Sequence, residues 1–201
     1  MGICVVAAVR LLAAGLFLLL AEIPSSAYAA PVVHQPTGIS FPDEIAGFAR
    51  DRVEDYESKA PGLGFGYHYR TTTGAFASVY VYTVGISNVP ASIDHPVMGK
   101  LREQTVREIL QFAQSRSEAA QHTLQETIKV KTDSGEVPVL FDGFIVNSPG
   151  GARNTFVWLW TSRGHFLKVR VTRVPAGDLD PGQLREFYES IVRLSAAPAG
   201  R

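Results

Sequence analysis

The sequence predicts an α+β fold: an antiparallel β-sheet made of a hairpin plus a four-strand meander, packed with a crossover helix and a C-terminal helix. Three observations carry that prediction. Runs of β-branched and aromatic residues alternate with a period of two over 64–85, 127–147 and 153–173, each around a short turn signal. The stretches 96–116 and 181–195 change to a helical period, and each follows an Asp and a Pro that suit a helix start. Strands, helix, strands, helix is therefore the order along the chain, and helices layered on an antiparallel sheet satisfy it.

The first residues carry Arg10, the apolar run LLAAGLFLLLA, Pro24 and the small-residue stretch SSAYAAP. That sequence of features reads as a signal peptide over 1–29, cleaved after Ala29 at the Ala27-Tyr28-Ala29 site, with an uncleaved anchor as the competing reading. The apolar run is short for a membrane span, so no stable span is expected once it is removed. Cys4, the one cysteine, lies inside the signal and ahead of the apolar run, too early for lipid attachment at the cleavage point. A mature chain of about 170 residues can bury one core without disulfides. Lack of a mature cysteine favours a bacterial envelope or secreted protein, periplasmic first, over a stapled eukaryotic extracellular domain.

Residues 30–37 are small, Pro-containing and unpatterned, and are expected to be a flexible N-terminal segment; 196–201 read as a flexible tail. One α+β domain spans 38–195. At its start, DEIAGFARDRVEDYES fits either a helical face or a charged edge strand, and the strand is preferred. A hairpin follows. With a loop at Thr72–Ala75, Phe65, Tyr67 and Tyr69 share a face with Phe76, Tyr80 and Tyr82, while His68 and Arg70 join Val79 and Val81 on the other; one residue of slip mixes the two sets.

Asp94 before His95-Pro96 reads as the cap of the first helix. Val97, Leu101, Thr105, Ile109 and Phe112, widened by Met98, Val106, Leu110 and Ala113, make the side that lies on the sheet. In the next hairpin a loop at Asp133–Glu136 sets Ile128 opposite Phe141 and Val130 opposite Val139, with Lys129 and Lys131 pointing away. A two-residue Arg163-Gly164 turn pairs Trp160 with Leu167, Trp158 with Val169 and Phe156 with Val171. Those six apolar residues then form core, and Lys168 and Arg170 fall on the opposite face; a three-residue turn would bury charge beside the indoles, which is costly. Asp180, Pro181 and Gln183 open the last helix, whose stripe of Leu184, Phe187, Tyr188, Ile191 and Leu194 should pack on the aromatic face of that hairpin.

This order of elements, with PGLGFGYHYR, VYVYTVG and GHFLKVRVT, resembles a group of exported bacterial proteins with the PsbP-like α/β sandwich fold. The resemblance implies an accessory or binding subunit. It brings no shared active site, so it assigns no residue a role.

Lys+Arg and Asp+Glu are equal at 19 each, and without basic excess no nucleic-acid partner is expected. No G-x-S-x-G context is present, no thiol survives in the mature chain, and the five histidines His34, His68, His95, His122 and His165 are dispersed without metal-ligand spacing. GLGFG and SPGGAR read as turns and not as phosphate loops. No catalytic residue, metal site or cofactor is therefore assigned. Two binding surfaces remain: a basic sheet face of Lys129, Lys131, Lys168 and Arg170, suited to a small anionic ligand or an envelope protein partner, and an aromatic wall of Tyr67, Tyr69, Tyr80 and Tyr82. Solvated surface and cross-strand packing are the plainer explanations of the two. The sequence thus points to a non-enzymatic exported binding or accessory protein, with a hydrolase using His68 or His95 and a dispersed carboxylate as the alternative.

Overall fold

A computed structural model describes residues 30–173 and 179–198; the signal peptide expected at 1–29, with Arg10, Cys4 and Ala29, lies outside them. In chain order the elements are β1 (Val32–His34), β2 (Ile39–Phe41), β3 (Glu44–Ile45), β4 (Phe48–Asp55), β5 (Phe65–Arg70), β6 (Phe76–Tyr82), α1 (Pro96–Ser115), β7 (Ala119–Thr132), β8 (Gly135–Ser148), β9 (Gly151–Ser162), β10 (His165–Thr172) and α2 (Pro181–Ala196). β1 and β2 pair by themselves, and the other strands form an antiparallel eight-stranded sheet in the order β3-β4-β5-β6-β10-β9-β8-β7. Mixed α+β structure with antiparallel sheets and two helices is what the periodicities required.

Arg163 and Gly164 join β9 to β10 with φ of 49° and 69°. Positive φ at both central positions gives the turn the twist of the flanking strands. Trp160, Trp158 and Phe156 accordingly meet Leu167, Val169 and Val171, and the two indoles are buried. The α2 stripe closes over this face. Trp158 stacks on Tyr188 at 4.6 Å, and Trp160 Nε1 donates to Ser195 Oγ at 3.0 Å, so the indole N–H is satisfied as burial demands. Phe187 reaches Phe48 and Tyr69 at 4.4 and 5.5 Å, which extends the layer to β4 and β5.

Several expectations need correction. Within residues 30–37, Val32–His34 form β1 against β2, and His34 is buried with Nδ1 2.7 Å from Thr37 Oγ1. Val32 packs on the core, which rewards ordering this short segment. Residues 44–57 resolve in favour of strand, as β3 and β4. The β5–β6 hairpin turns over Thr71–Ala75, one residue more than expected, so Tyr67 faces Val79, Tyr69 faces Ala77 and His68 faces Ser78. Tyr67 and Tyr69 therefore belong to the α2 face, while Tyr80 and Tyr82 belong with His68 to the other. The β7–β8 turn is Asp133-Ser134, which pairs Ile128 with Val139 and Val130 with Val137. A shift of two leaves each side chain on its expected face.

His95, not Asp94, caps α1: its Nδ1 accepts from Val97 N at 3.3 Å, while Asp94 is engaged by Ser92. Met98, Leu101, Thr105, Ile109 and Ala113 are the buried side of that helix, and Phe112 is 53% exposed. α1 crosses the second face of the sheet, where Glu108 comes 3.8 Å from Lys168. The face expected to be a basic outer surface is thus a partly covered layer.

Candidate functional site

Antiparallel pairing places directly opposed residues on one face, so the registers define transverse rows beneath α1. One row runs Arg52, His68, Ser78, Arg170, Val157, Asp142 from β4 to β8. Five of those six side chains are polar, an unusual composition for the middle of a covered sheet face. Their partners divide the row into a satisfied end and an unsatisfied one.

The satisfied end centres on Asp142, 3% exposed. Arg102 of α1 donates Nε to both carboxylate oxygens at 3.1 and 2.8 Å and Nη2 to the Phe141 carbonyl at 2.8 Å, and His122 Nε2 lies 2.8 Å from Oδ1. A buried carboxylate held by two partners is a tether between helix and sheet, and it consumes the groups it gathers.

At the other end the helix stands away from the sheet, leaving a cavity of about 340 Å³. Ser78, Tyr80, Thr155 and Arg170 form its floor, and Ile109 and Phe112 lie on the helix side. Two further arginines at the rim, Arg116 and Arg153, share Glu118. Arg170 differs from both. Among the described residues it makes no hydrogen bond and no ion pair; its guanidinium lies 6.0 Å from the Phe112 ring centroid, and burial pulls its pKa below the usual arginine value. A half-buried cation with no hydrogen bond, facing a cavity beside an aromatic ring, is a position where an anion could be held.

Beside the cavity, His68 is 3% exposed, fixed by stacking on Phe76 at 5.7 Å and an edge contact with Tyr80 at 6.0 Å. Its Nδ1 lies 2.9 Å from Ser78 Oγ; its Nε2 is buried without a hydrogen-bond partner, 3.8 Å from Glu54 Oε2. Burial, then Arg52, lowers the His68 pKa, against the pull of Glu54 and Asp51. Glu54 stays ionised: the Tyr56 hydroxyl and Arg52 donate to it and hold its pKa down to about 2.

No protein-family model matches this chain, and no curated protein matches it. The site is read from its own geometry.

Of the four cations singled out from sequence, Arg170 alone lies on the cavity floor, and it makes no hydrogen bond or ion pair among the described residues. Lys168 shares its face but is enclosed, 5.2 and 5.7 Å from the Tyr80 and Tyr82 ring centroids and near Glu108; burial lowers its pKa. Lys129 and Lys131 do not join them. Lys168 aligns with Leu159, Leu140 and Thr127, so Lys129 stands three strands and two residues off, roughly 15 Å at ordinary spacing. It pairs with Glu136 at 3.2 Å, and both lysines are solvent-exposed. The four-cation patch is therefore two separate places. The tyrosine wall is likewise divided: Tyr67 stacks on Phe41 at 3.8 Å and Tyr69 donates to the Pro42 carbonyl, both in the core, and only Tyr80 reaches the cavity. His95 is spent on capping. Sequence reasoning missed Ser78, Thr155, Arg153 and Phe112 as cavity lining; Ser78 meets Arg170 through the β6–β10 pairing, which joins strands far apart in the chain and leaves no local signal. Among the described residues no group of three or more His, Cys, Asp or Glu side chains is placed to hold a metal ion.

Proposed function

We propose that this chain is an exported, periplasmic binding module whose cavity under α1 takes a small amphipathic anion, with Arg170 as the charge anchor. The Arg170 guanidinium carries this reading, because it lines the cavity with no hydrogen bond and no ion pair among the described residues. Apolar Ile109, Phe112, Ala113 and Val146 suit the ligand's hydrocarbon part, while Thr155 and Thr172 offer hydroxyls near its charge. About 340 Å³ fits a medium-chain carboxylate and excludes a long polymer. The signal-like N-terminus supports export, and among the described residues no helix is long and apolar enough to cross a membrane. Resemblance to the PsbP-like sandwich, with its hairpin and meander, supports an accessory role without adding a site residue. In a thermal-shift measurement, octanoate raises the melting temperature of the wild type and not of Arg170→Met, since binding to the folded state stabilises it. Equal shifts in both proteins, or none in either, would sink the assignment.

Hydrolysis is the second reading, and one observation favours it. His68 is the histidine that stands between a hydroxyl and a carboxylate, Ser78 and Glu54.

A further inference from the structure

We infer that Ser78 is a nucleophile and that the cavity transfers acyl groups from small esters through it. This rests on the cavity being a ligand site and adds a reaction to it. Three features converge. Ser78 lines the cavity and its Oγ lies 2.9 Å from His68 Nδ1, so a base is already in reach of the hydroxyl proton. The other imidazole nitrogen, Nε2, is buried and bonded to nothing, and the Glu54 carboxylate lies 3.8 Å away. An ionised carboxylate on that side favours the tautomer with hydrogen on Nε2, which leaves the Nδ1 lone pair to accept from Ser78. Finally, Arg170 is the direct cross-strand neighbour of Ser78 on β10, with Cβ atoms about 5 Å apart by strand geometry, so a cation borders the place where an oxyanion forms.

The chemistry balances with no outside oxidant or cofactor. Ser78 Oγ adds to the ester carbonyl carbon as its proton passes to His68 Nδ1, and the tetrahedral oxyanion is stabilised by Arg170. Collapse breaks the bond from carbon to the alkoxy oxygen, and His68 returns the proton to the departing alkoxide, giving an alcohol and an acyl-Ser78. Water, deprotonated by His68, then releases a carboxylate and restores the serine. The product is the kind of anion that Arg170 is placed to hold, so binding and reaction use one cation. Glu54 touches no reacting atom; it is a positioning residue that fixes the tautomer and steadies the imidazolium, and Tyr56 and Arg52 keep it in place. A substrate with a short apolar acyl group fits the wall of Ile109 and Phe112.

The test combines labelling with turnover on the full exported protein. A fluorophosphonate should add one phosphonyl group, mapped by mass spectrometry to Ser78, and p-nitrophenyl butyrate should be hydrolysed. Ser78→Ala abolishes both; His68→Gln lowers kcat by about a hundredfold or more, as loss of a general base does. Glu54→Gln keeps labelling but shifts the pH–rate profile, an effect that a purely structural role would not produce. Octanoate binding, measured by thermal shift on the same Ser78→Ala protein, separates the two claims. If octanoate still stabilises that variant while the wild type neither labels at Ser78 nor turns over the ester, acyl transfer is wrong and the cavity stands. If neither binding nor labelling occurs, both fall. Turnover that survives Ser78→Ala also overturns the proposal.

Discussion

Asp142 shows how much a single buried charge can govern here. It is the common acceptor of Arg102 and His122, so replacing it by Ala leaves a partly buried guanidinium without its counter-ion. Breaking a buried pair from one side costs about 3–5 kcal/mol. Denaturant unfolding of Asp142→Ala should show that loss, with Arg102→Met milder because the methionine keeps the packing of the stem and removes the charge. Equal stability of Asp142→Ala and wild type would mean the tether carries nothing. His34 adds a pH dependence. Burial, then the neighbouring His165, lowers its pKa to about 4, so between the unfolded value near 6.5 and that lower one the unfolded chain binds more protons than the native one. Stability therefore falls as pH drops from 7 toward 4 and levels off below; His68, lowered in the same direction, adds to the slope. His34→Gln should flatten that acid limb when melting temperature is followed against pH. None of these roles was legible in the sequence. A dispersed histidine carries no mark of what the fold will bring to it, and the sequence offers nothing that singles out Asp142.

Among the elements, the β9–β10 hairpin was legible to the residue because burial and turn chemistry agreed. A two-residue turn was the one choice that kept indoles and cations apart. Trp160→Ala should cost about 3–5 kcal/mol in denaturant unfolding, since the ring is fully buried and its N–H is bonded to Ser195. The β5–β6 register was not legible, since Thr71-Thr72-Thr73-Gly74-Ala75 offers several loops, and β6 presents aromatics on one face and Ala77, Val79 and Val81 on the other, either of which could join the β5 aromatics. Apolar pattern could not break the tie. Arg163 likewise has a second role that its turn position did not announce. Its guanidinium donates to the carbonyls of Thr37, Leu194 and Ala197, binding the β1–β2 segment to the C-terminal carbonyls of α2. Gly64 marks a tight crossing: at φ 67° an added Cβ would sit 1.9 Å from the Val81 carbonyl oxygen and 2.7 Å from Tyr82 Cα. Both obstacles are backbone, so Gly64→Ala should lower the melting temperature sharply, whereas at Gly99 an added Cβ meets nothing within 4 Å and Gly99→Ala should be neutral or stabilising.

At the scale of the molecule, the sheet has two unlike faces. α2 and the β1–β2 pair seal one with Trp158, Trp160, Tyr67 and Phe41, and that layer holds the main core. α1 covers the other incompletely: one end is tied to Asp142, and the other lifts from Ser78 and Arg170 to leave the cavity. The main core and the cavity thus sit on opposite sides of one sheet, and substitutions in the cavity should leave folding largely intact. Alternation in the sequence revealed that two faces exist and which of them is core. It could not reveal that a helix would partly cover the basic one, because the cavity between them is walled by side chains from four strands and the helix at once. The most direct measurement is a crystal structure of the protein with 8-bromooctanoate, in which bromine is located by anomalous scattering. A bromine peak among Ile109, Phe112 and Val146, with the carboxylate on the Arg170 guanidinium, is the predicted result. Bromine elsewhere, or the carboxylate turned away from Arg170, would contradict the account.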